Sequence, residues 1–245
     1  MGNLFFPQLT SGALVQYPVQ RVKSFHSAST QAEDGSVVSY FDRNGSTLMW
    51  QLTYAGLTQA EVNALQMLYD ACSGRFRAFT FLDPVGNLLG PQWQSGPTVQ
   101  VSGTVYTNTG NAPQQISQTF PIPAGYAYSF SLPGNPAADP TATLTVIHSS
   151  ANAQQETTLR VNSPLLVSSG TLADTTIGFT ITVQLQPGQT IDLGSAQLDA
   201  QPAPSPFRPS TGGVYPNAHW AVDELLFTAL GPNSFGTKFA IETHI

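Results

Sequence analysis

The stretch Leu48–Pro84, LMWQLTYAGLTQAEVNALQMLYDACSGRFRAFTFLDP, limits the possible folds more than any other part of the chain. Leu48, Trp50, Leu52 and Tyr54 alternate with Met49, Gln51 and Thr53, the period of a strand with one buried face. Gly56 ends that strand, and Leu57 leads into Thr58-Gln59-Ala60-Glu61, a capping box. There the Thr58 hydroxyl accepts from the backbone N–H three residues on, and the Glu61 carboxylate accepts from the Thr58 N–H. Val62, Leu65, Leu68, Tyr69 and Cys72 follow at three- and four-residue spacing and share one face of a helix over residues 58–73. Gly74 suits the left-handed residue just past a helix end. Arg75, Arg77 and Thr80 then alternate with Phe76, Ala78, Phe79 and Phe81, which reads as a second strand closed by Asp83-Pro84. Such a helix must lie across a sheet, and most of that sheet has to come from elsewhere in the chain.

The chain has 245 residues, enough for one large domain or two smaller ones. Only 9% of them are charged, against roughly 25% in an average soluble domain. Ser, Thr, Gln, Asn, Gly and Pro take their place, a composition that favours strands, turns and a neutral polar surface. The net charge is −6 with eight basic residues, and Arg21/Lys23 and Arg75/Arg77 are the close basic pairs. Binding along a nucleic-acid backbone needs clustered Lys and Arg, so none is expected. A negatively lined channel past which DNA slides remains compatible. The single cysteine, Cys72, sits on the apolar helix face and is read as a small buried residue. The opening Met1–Pro7 has no basic segment before a sustained apolar run, so no signal peptide is expected. No stretch is long and apolar enough for a membrane span.

Residues 3–20, with Pro7 and Pro18, read as an extended opening segment. Gln20–Ser29 alternates loosely, Glu33–Ser36 is a turn, and Val37–Phe41 is a strand. Asp42-Arg43-Asn44-Gly45 reads as a second hairpin turn, because Asn and Gly both accept positive φ. From Val85–Pro91 onward the character changes. Residues 92–208 carry seven charges and show no helical period. Strands are expected at Thr98–Tyr106, Ala112–Phe120, Ala127–Leu132, Ala142–His148, Thr157–Val161, Leu165–Ser168, Ile177–Leu185 and Thr190–Leu198. Pro133–Pro136 and Gln186–Gln189 are turns between them. Eight short strands suggest an antiparallel β-sandwich of jelly-roll type. Ala200–Thr211 is a proline-rich exit in extended coil. In the tail, Ala218–Val222 and Lys238–Ile245 read as strands. Asp223–Leu230 reads as a strand or a helix turn, with the strand favoured by the loop Gly231–Ser234. Thirty-four residues are too few to fold alone. The tail is therefore expected to complete the first domain: residues 1–91 plus 209–245, interrupted by 92–208 as an inserted module.

No catalytic set stands out. His26, His148, His219 and His244 are scattered singly, and no paired cysteines, acidic calcium loop, phosphate loop or Gly-x-Ser-x-Gly elbow occurs. No metal ligand or cofactor is expected. Asp139, Glu156, Asp174, Asp192 and Asp199 lie mostly beside turns, where Asp commonly binds its own backbone. Tyr106, Tyr126 and Tyr128 are the candidate stacking platform for a sugar ring, against the plainer reading as core or cross-strand partners.

The run Trp50-x-Leu52-x-Tyr54-x-x-Leu57-Thr58-x-x-Glu61, then Leu65 in the helix, then Gly74 followed by Phe79-x-Phe81-x-Asp83-Pro84, resembles the minor tail proteins of long-tailed phages. In particular it is similar to the distal tail protein group. A second stretch, Gln197–Thr211 with Leu198, Phe207 and Pro209, resembles the ending of carbohydrate-binding-like jelly rolls in phage structural proteins, with Asp199 where an acid is usual. The first resemblance implies a tail-tube-like β-sandwich or half-barrel with one flanking helix. It also implies a ring, often hexameric, that joins the tail tube to the hub or baseplate of a virion assembled in the host cytoplasm. Its partners would be copies of itself, the tube protein and hub proteins, and a trimeric hub component would share much of the pattern. The second resemblance implies an outward module for decoration or glycan contact. A carbohydrate-binding host-recognition protein is the alternative function, and a glycan hydrolase has no supporting motif.

Overall fold

The computed structural model describes residues 4–123, 125–133, 143–150, 154–160, 165–171 and 176–245. They are mainly β, in antiparallel sheets, with a single helix among the described residues. The first part of the chain forms β1 (Gln20–Gln31), β2 (Val37–Leu57), helix α1 (Gln59–Cys72) and β3 (Phe79–Leu82). The middle forms β4 (Gln94–Ser95), β5 (Val99–Ser102), β6 (Val105–Asn108), β7 (Gln114–Phe120), β8 (Ala127–Pro133), β9 (Thr143–Ser150), β10 (Gln154–Arg160), β11 (Leu165–Thr171), β12 (Thr176–Leu185), β13 (Thr190–Asp192) and β14 (Gln197–Asp199). The tail adds β15 (Val214–Trp220), β16 (Phe227–Gly231) and β17 (Ser234–His244). The chain divides into two compact units, one of Met1–Leu9, Val15–Phe81 and Tyr215–Ile245, the other of Thr10–Leu14 and Leu82–Val214. Residues 82–91 and 209–214, assigned from the sequence to the first domain, group with the second unit.

The first unit is one sheet in the order β1-β2-β17-β15-β3, with β16 added to β17. The tail strand β17 runs antiparallel to β2, Thr237 opposite Tyr54 and His244 opposite Thr47. The alternation read in Leu48–Tyr54 holds: Leu48, Trp50, Leu52 and Tyr54 are buried. Phe6, Phe79, Phe81, Trp220 and Phe239 join them in an aromatic core, with Trp50 4.8 Å from Phe81 and Trp220 4.8 Å from Phe239. Each such ring pair adds about 0.5–1.5 kcal/mol beyond the area it buries. Phe6 is held there by its N–H donating to the Thr80 carbonyl on β3, while the Thr80 N–H donates to the Leu4 carbonyl.

Helix α1 buries Val62, Leu65, Leu68 and Cys72, and Tyr69 meets Trp220 edge-on at 5.4 Å. Its capping box forms as expected: the Thr58 hydroxyl accepts from the Glu61 N–H at 3.3 Å, and Glu61 Oε2 accepts from the Thr58 N–H at 2.8 Å. At the other end the left-handed conformation begins at Ser73 (φ 54°) and continues at Gly74 (φ 65°). Burial pushes the Cys72 thiol up, and the nearby Trp220 indole and Arg77 oppose the shift.

Three sequence expectations are corrected here. The strand expected over 75–81 is confined to Phe79–Leu82, because Gly74 N–H and Arg77 N–H bond back to Tyr69 and Cys72 and hold this stretch as a turn. Asp42–Gly45 is not a hairpin turn. The β1–β2 ladder continues on either side of it, with Ser24 opposite Thr47 and His26 opposite Asp42, and residues 43–46 form a bulge against Phe25 alone. A Cβ on Gly45 would stand 2.7 Å from the His26 Cβ, so close approach, not turn geometry, requires glycine there. Asp223–Leu230 forms strand only from Phe227 onward.

The second unit holds a five-stranded sheet, β10-β9-β12-β7-β4, and two three-stranded sheets, β11-β8-β14 and β13-β6-β5. Phe179 of β12 and Tyr128 of β8 meet at 4.8 Å, so the first two sheets share a core. Two expected strands are broken. Thr98–Tyr106 is the hairpin β5–β6, turned at Gly103 with φ 63°. Thr190–Leu198 is interrupted by a turn closed by the Ala196 N–H on the Leu193 carbonyl. The turn Gln186–Gln189 forms as read, whereas Gly134–Pro136, Asp139 and Asp174 lie outside the described residues.

Candidate functional site

Two features are candidates, one in each unit. In the first unit, β1 and the outer half of β2 form a long hairpin. Residues 20–40 are exposed at every position, on both faces. The turn is tight: Ala32 N–H donates to Ser36, and Gly35 takes φ 83°. Hydrogen bonds from Ser36 hold the Asp34 carboxyl below its usual range. The hairpin carries large apolar side chains: Phe25 is 59% exposed, Val37 63% and Tyr40 64%. Register places Val38 and Tyr40 on one face with Thr30 and Ala28. Strand β1 lies at the end of the sheet, and among the described residues no strand pairs with its outer edge.

In the second unit, the proline-rich exit is tied down by buried amides and one carboxylate. Gln197 Nε2 donates to Asp199 Oδ2 (2.9 Å) and to the Ser205 carbonyl (3.1 Å), and Gln197 Oε1 accepts from the Arg208 N–H at 2.7 Å. Asp199 accepts from the Ser205 N–H and hydroxyl, both at 3.0 Å. Asn87, fully buried, donates to the carbonyls of Ala196 (2.9 Å) and Arg208 (3.1 Å) and accepts from the N–H groups of Leu89 and Leu198. Sequence reasoning missed Asn87. Its only signal is an Asn inside an apolar run, Val85–Leu89, where a buried amide needs partners.

The strap so fixed forms one wall of a pocket of about 390 Å³, lined by Trp93, Tyr106, Leu193, Phe207 and Pro209. Pro91 also lines it, beside Gly90, Thr104, Gly194 and Ser210. Each of the last four is pinned. Gln118 brackets the Gly90 backbone with two bonds, Asp192 accepts from Thr104 (2.6 Å) and Gly194 (2.8 Å), and Asn87 reaches Ser210. Every lining residue belongs to the second unit.

The tyrosines proposed from sequence do not form a platform. Tyr128 is buried against Phe179 and offers no ring face. Tyr126 is half-buried, and burial pushes its phenol up. Tyr106 alone reaches the pocket. The motif residues Trp50, Leu52, Tyr54, Leu57, Leu65, Phe79 and Phe81 are core, Thr58 and Glu61 are the cap, and Gly74 is the left-handed residue after the helix. Asp83 accepts from the Val85 N–H at 3.0 Å and leads, with Pro84, into the second unit. Leu198 is buried, and Phe207 is 50% exposed on the strap.

His219 Nδ1 pairs with the Arg75 carbonyl at 3.1 Å. Among the described residues no three His, Cys, Asp or Glu side chains group as metal ligands would. Among the described residues no helix is long and apolar enough to cross a membrane. Compared with known proteins, the chain matches no protein-family model and no curated protein.

Proposed function

We propose that this chain is a structural subunit of a phage or phage-like tail tip, a distal tail adaptor whose copies close into a ring between the tail tube and the hub. The reading is carried by the hairpin of β1 and β2. A hairpin alone in water is marginally stable at best. This one presents Val22, Phe25, Val37, Val38 and Tyr40 to solvent and ends a sheet whose outer edge no strand among the described residues pairs with. Natural proteins blunt such edges or pair them with another chain. Strand addition by a neighbouring copy would bury the apolar face and satisfy the edge together. Repeated head-to-tail, that contact closes when the rotation per copy divides a full turn, six copies being the expected case and three the hub-like one. The tail-protein motif of Trp50–Pro84 supports the same reading. The second unit would be the module the ring carries.

The test is the native mass of the purified chain by light scattering over a range of concentrations, with negative-stain images of the same sample. Rings are expected, alone or after a tail-tube or hub partner is added. A chain that stays monomeric in both cases removes the proposal.

A further inference from the structure

The pocket of the second unit has walls that are built and held before any ligand arrives. Its rim backbone at Gly90, its Thr104 and Gly194 corner and its Ser210 edge are each fixed by a separate polar side chain, and the strap carrying Phe207 is tied by Gln197 and Asp199. Sites that are fixed in this way bind with little ordering cost. The volume, about 390 Å³, falls toward the small end of ligand pockets.

The chemistry of the lining narrows the occupant. None of the lining side chains is charged, so nothing there selects a charged ligand. The nearby carboxylate and amides, Asp192, Asn87, Gln118 and Gln197, are spent on the protein's own backbone and strap. A sugar ring brings several hydroxyl donors and is served best by such planar acceptors, which the lining does not present. The pocket instead offers aromatic surface from Trp93 and Phe207, together with ring donors; Tyr106 lines it but is 4% exposed and presents little ring face. Among the described residues neither the Trp93 indole N–H nor the Tyr106 hydroxyl has a hydrogen-bond partner. Aromatic surface with donors facing carbonyls is the complement of a polyproline helix. That helix has ridged apolar rings, solvated carbonyl acceptors and no N–H at each proline.

We infer that this pocket docks an uncharged proline-rich segment of a partner polypeptide, its proline rings against Trp93 and Phe207 and its carbonyls accepting from the Trp93 and Tyr106 rings. The inference does not depend on ring assembly, because all the residues it uses lie in the second unit.

The molecule carries its own reporter. Of its three tryptophans, Trp50 and Trp220 are fully buried and Trp93 is half-exposed. The full chain is titrated with an acetylated proline hexapeptide, its alanine-substituted control, and a set of neutral trisaccharides, and tryptophan emission is followed. The proline peptide is expected to shift the emission saturably in the millimolar range or below, and the alanine control is not. Phe207→Ala should weaken binding about tenfold or more, the loss of one aromatic contact, with an unchanged melting temperature. Trp93→Ala, followed by calorimetry, should do the same. No response to the proline peptide overturns the inference. So does a response to a trisaccharide in its place, or proline binding that both variants leave intact.

Discussion

Replacing Asn87 by Ala removes the side chain that ties the strap to the rest of the second unit. Asn87 is fully buried, and four backbone groups depend on it: the N–H groups of Leu89 and Leu198 and the carbonyls of Ala196 and Arg208. Three of those four bonds are themselves buried. An orphaned buried polar group costs about 1–3 kcal/mol, so three of them set a floor near 3 kcal/mol, well beyond the usual point substitution. For a unit of this size that corresponds to a fall of about 10 °C or more in its melting temperature. Scanning calorimetry of the whole chain reads this, with the transition of the first unit as an internal control. Asn87→Asp gives a second measurement. The carboxylate still accepts from Leu89 and Leu198 but sets a negative charge against two carbonyls, so its stability deficit should grow as pH rises above about 4. A loss under about 1 kcal/mol for Asn87→Ala would refute the view that this amide holds the strap.

Val38→Ser with Tyr40→Ser, at 45% and 64% exposure, should leave the melting temperature of the isolated chain unchanged. If a neighbour covers that face, the pair should weaken assembly by about 2 kcal/mol per contact, roughly thirtyfold, read by light scattering. Thr58→Ala breaks the capping box and should cost the first unit about 1 kcal/mol in urea denaturation. Alkaline pH should also destabilise that unit. Burial raises both the Cys72 thiol and the Tyr54 phenol, so the folded state keeps protons that the unfolded chain releases. The stability they contribute is fully present below the unfolded values and is lost as pH rises from about 9 upward. Cys72→Ala with Tyr54→Phe should flatten that loss in melting temperature against pH.

Local periodicity made the strand at Leu48–Tyr54, the helix, its cap and its buried face legible, because each is encoded within a few residues of itself. The breaks were harder. Asn44-Gly45 carries the turn chemistry of a hairpin, yet the ladder between β1 and β2 overrides it, and the glycine serves a close approach to His26 instead. Thr98–Tyr106 and Thr190–Leu198 read as single strands because turns of two and four residues, both even numbers, leave the apolar alternation almost intact. The low charge was visible, but not what the amides do. Asn87, Asn108, Gln118 and Gln197 are buried and bracket backbone N–H and C=O groups of loops. A carboxamide both donates and accepts and carries no charge, so it can satisfy a buried loop without the desolvation penalty of an ion. The amide-rich composition thus fixes loops from inside as well as covering the surface.

The hairpin of β1 and β2 marks where sequence patterning stops being informative. Alternation of apolar and polar residues says that a strand will have one covered face, and Val38 and Tyr40 obey it. It does not say what does the covering. Within β2 the rule is met in two ways. From Leu48 to Tyr54 the apolar face is buried, with Trp50 against Phe81 and Tyr215 and Tyr54 against Phe239, whereas from Val37 to Tyr40 the same strand pairs with β1 and is exposed on both faces. This strand is buried over only half of its length; were copies of the chain to assemble as proposed, the exposed half would be the part they share. The exposed half is therefore the place to look for the neighbour. Hydrogen exchange makes the distinction measurable: amides of Gln20–Gln31 along the open edge should exchange quickly in the isolated chain and slow on assembly, while those of Leu48–Tyr54 should be slow in both.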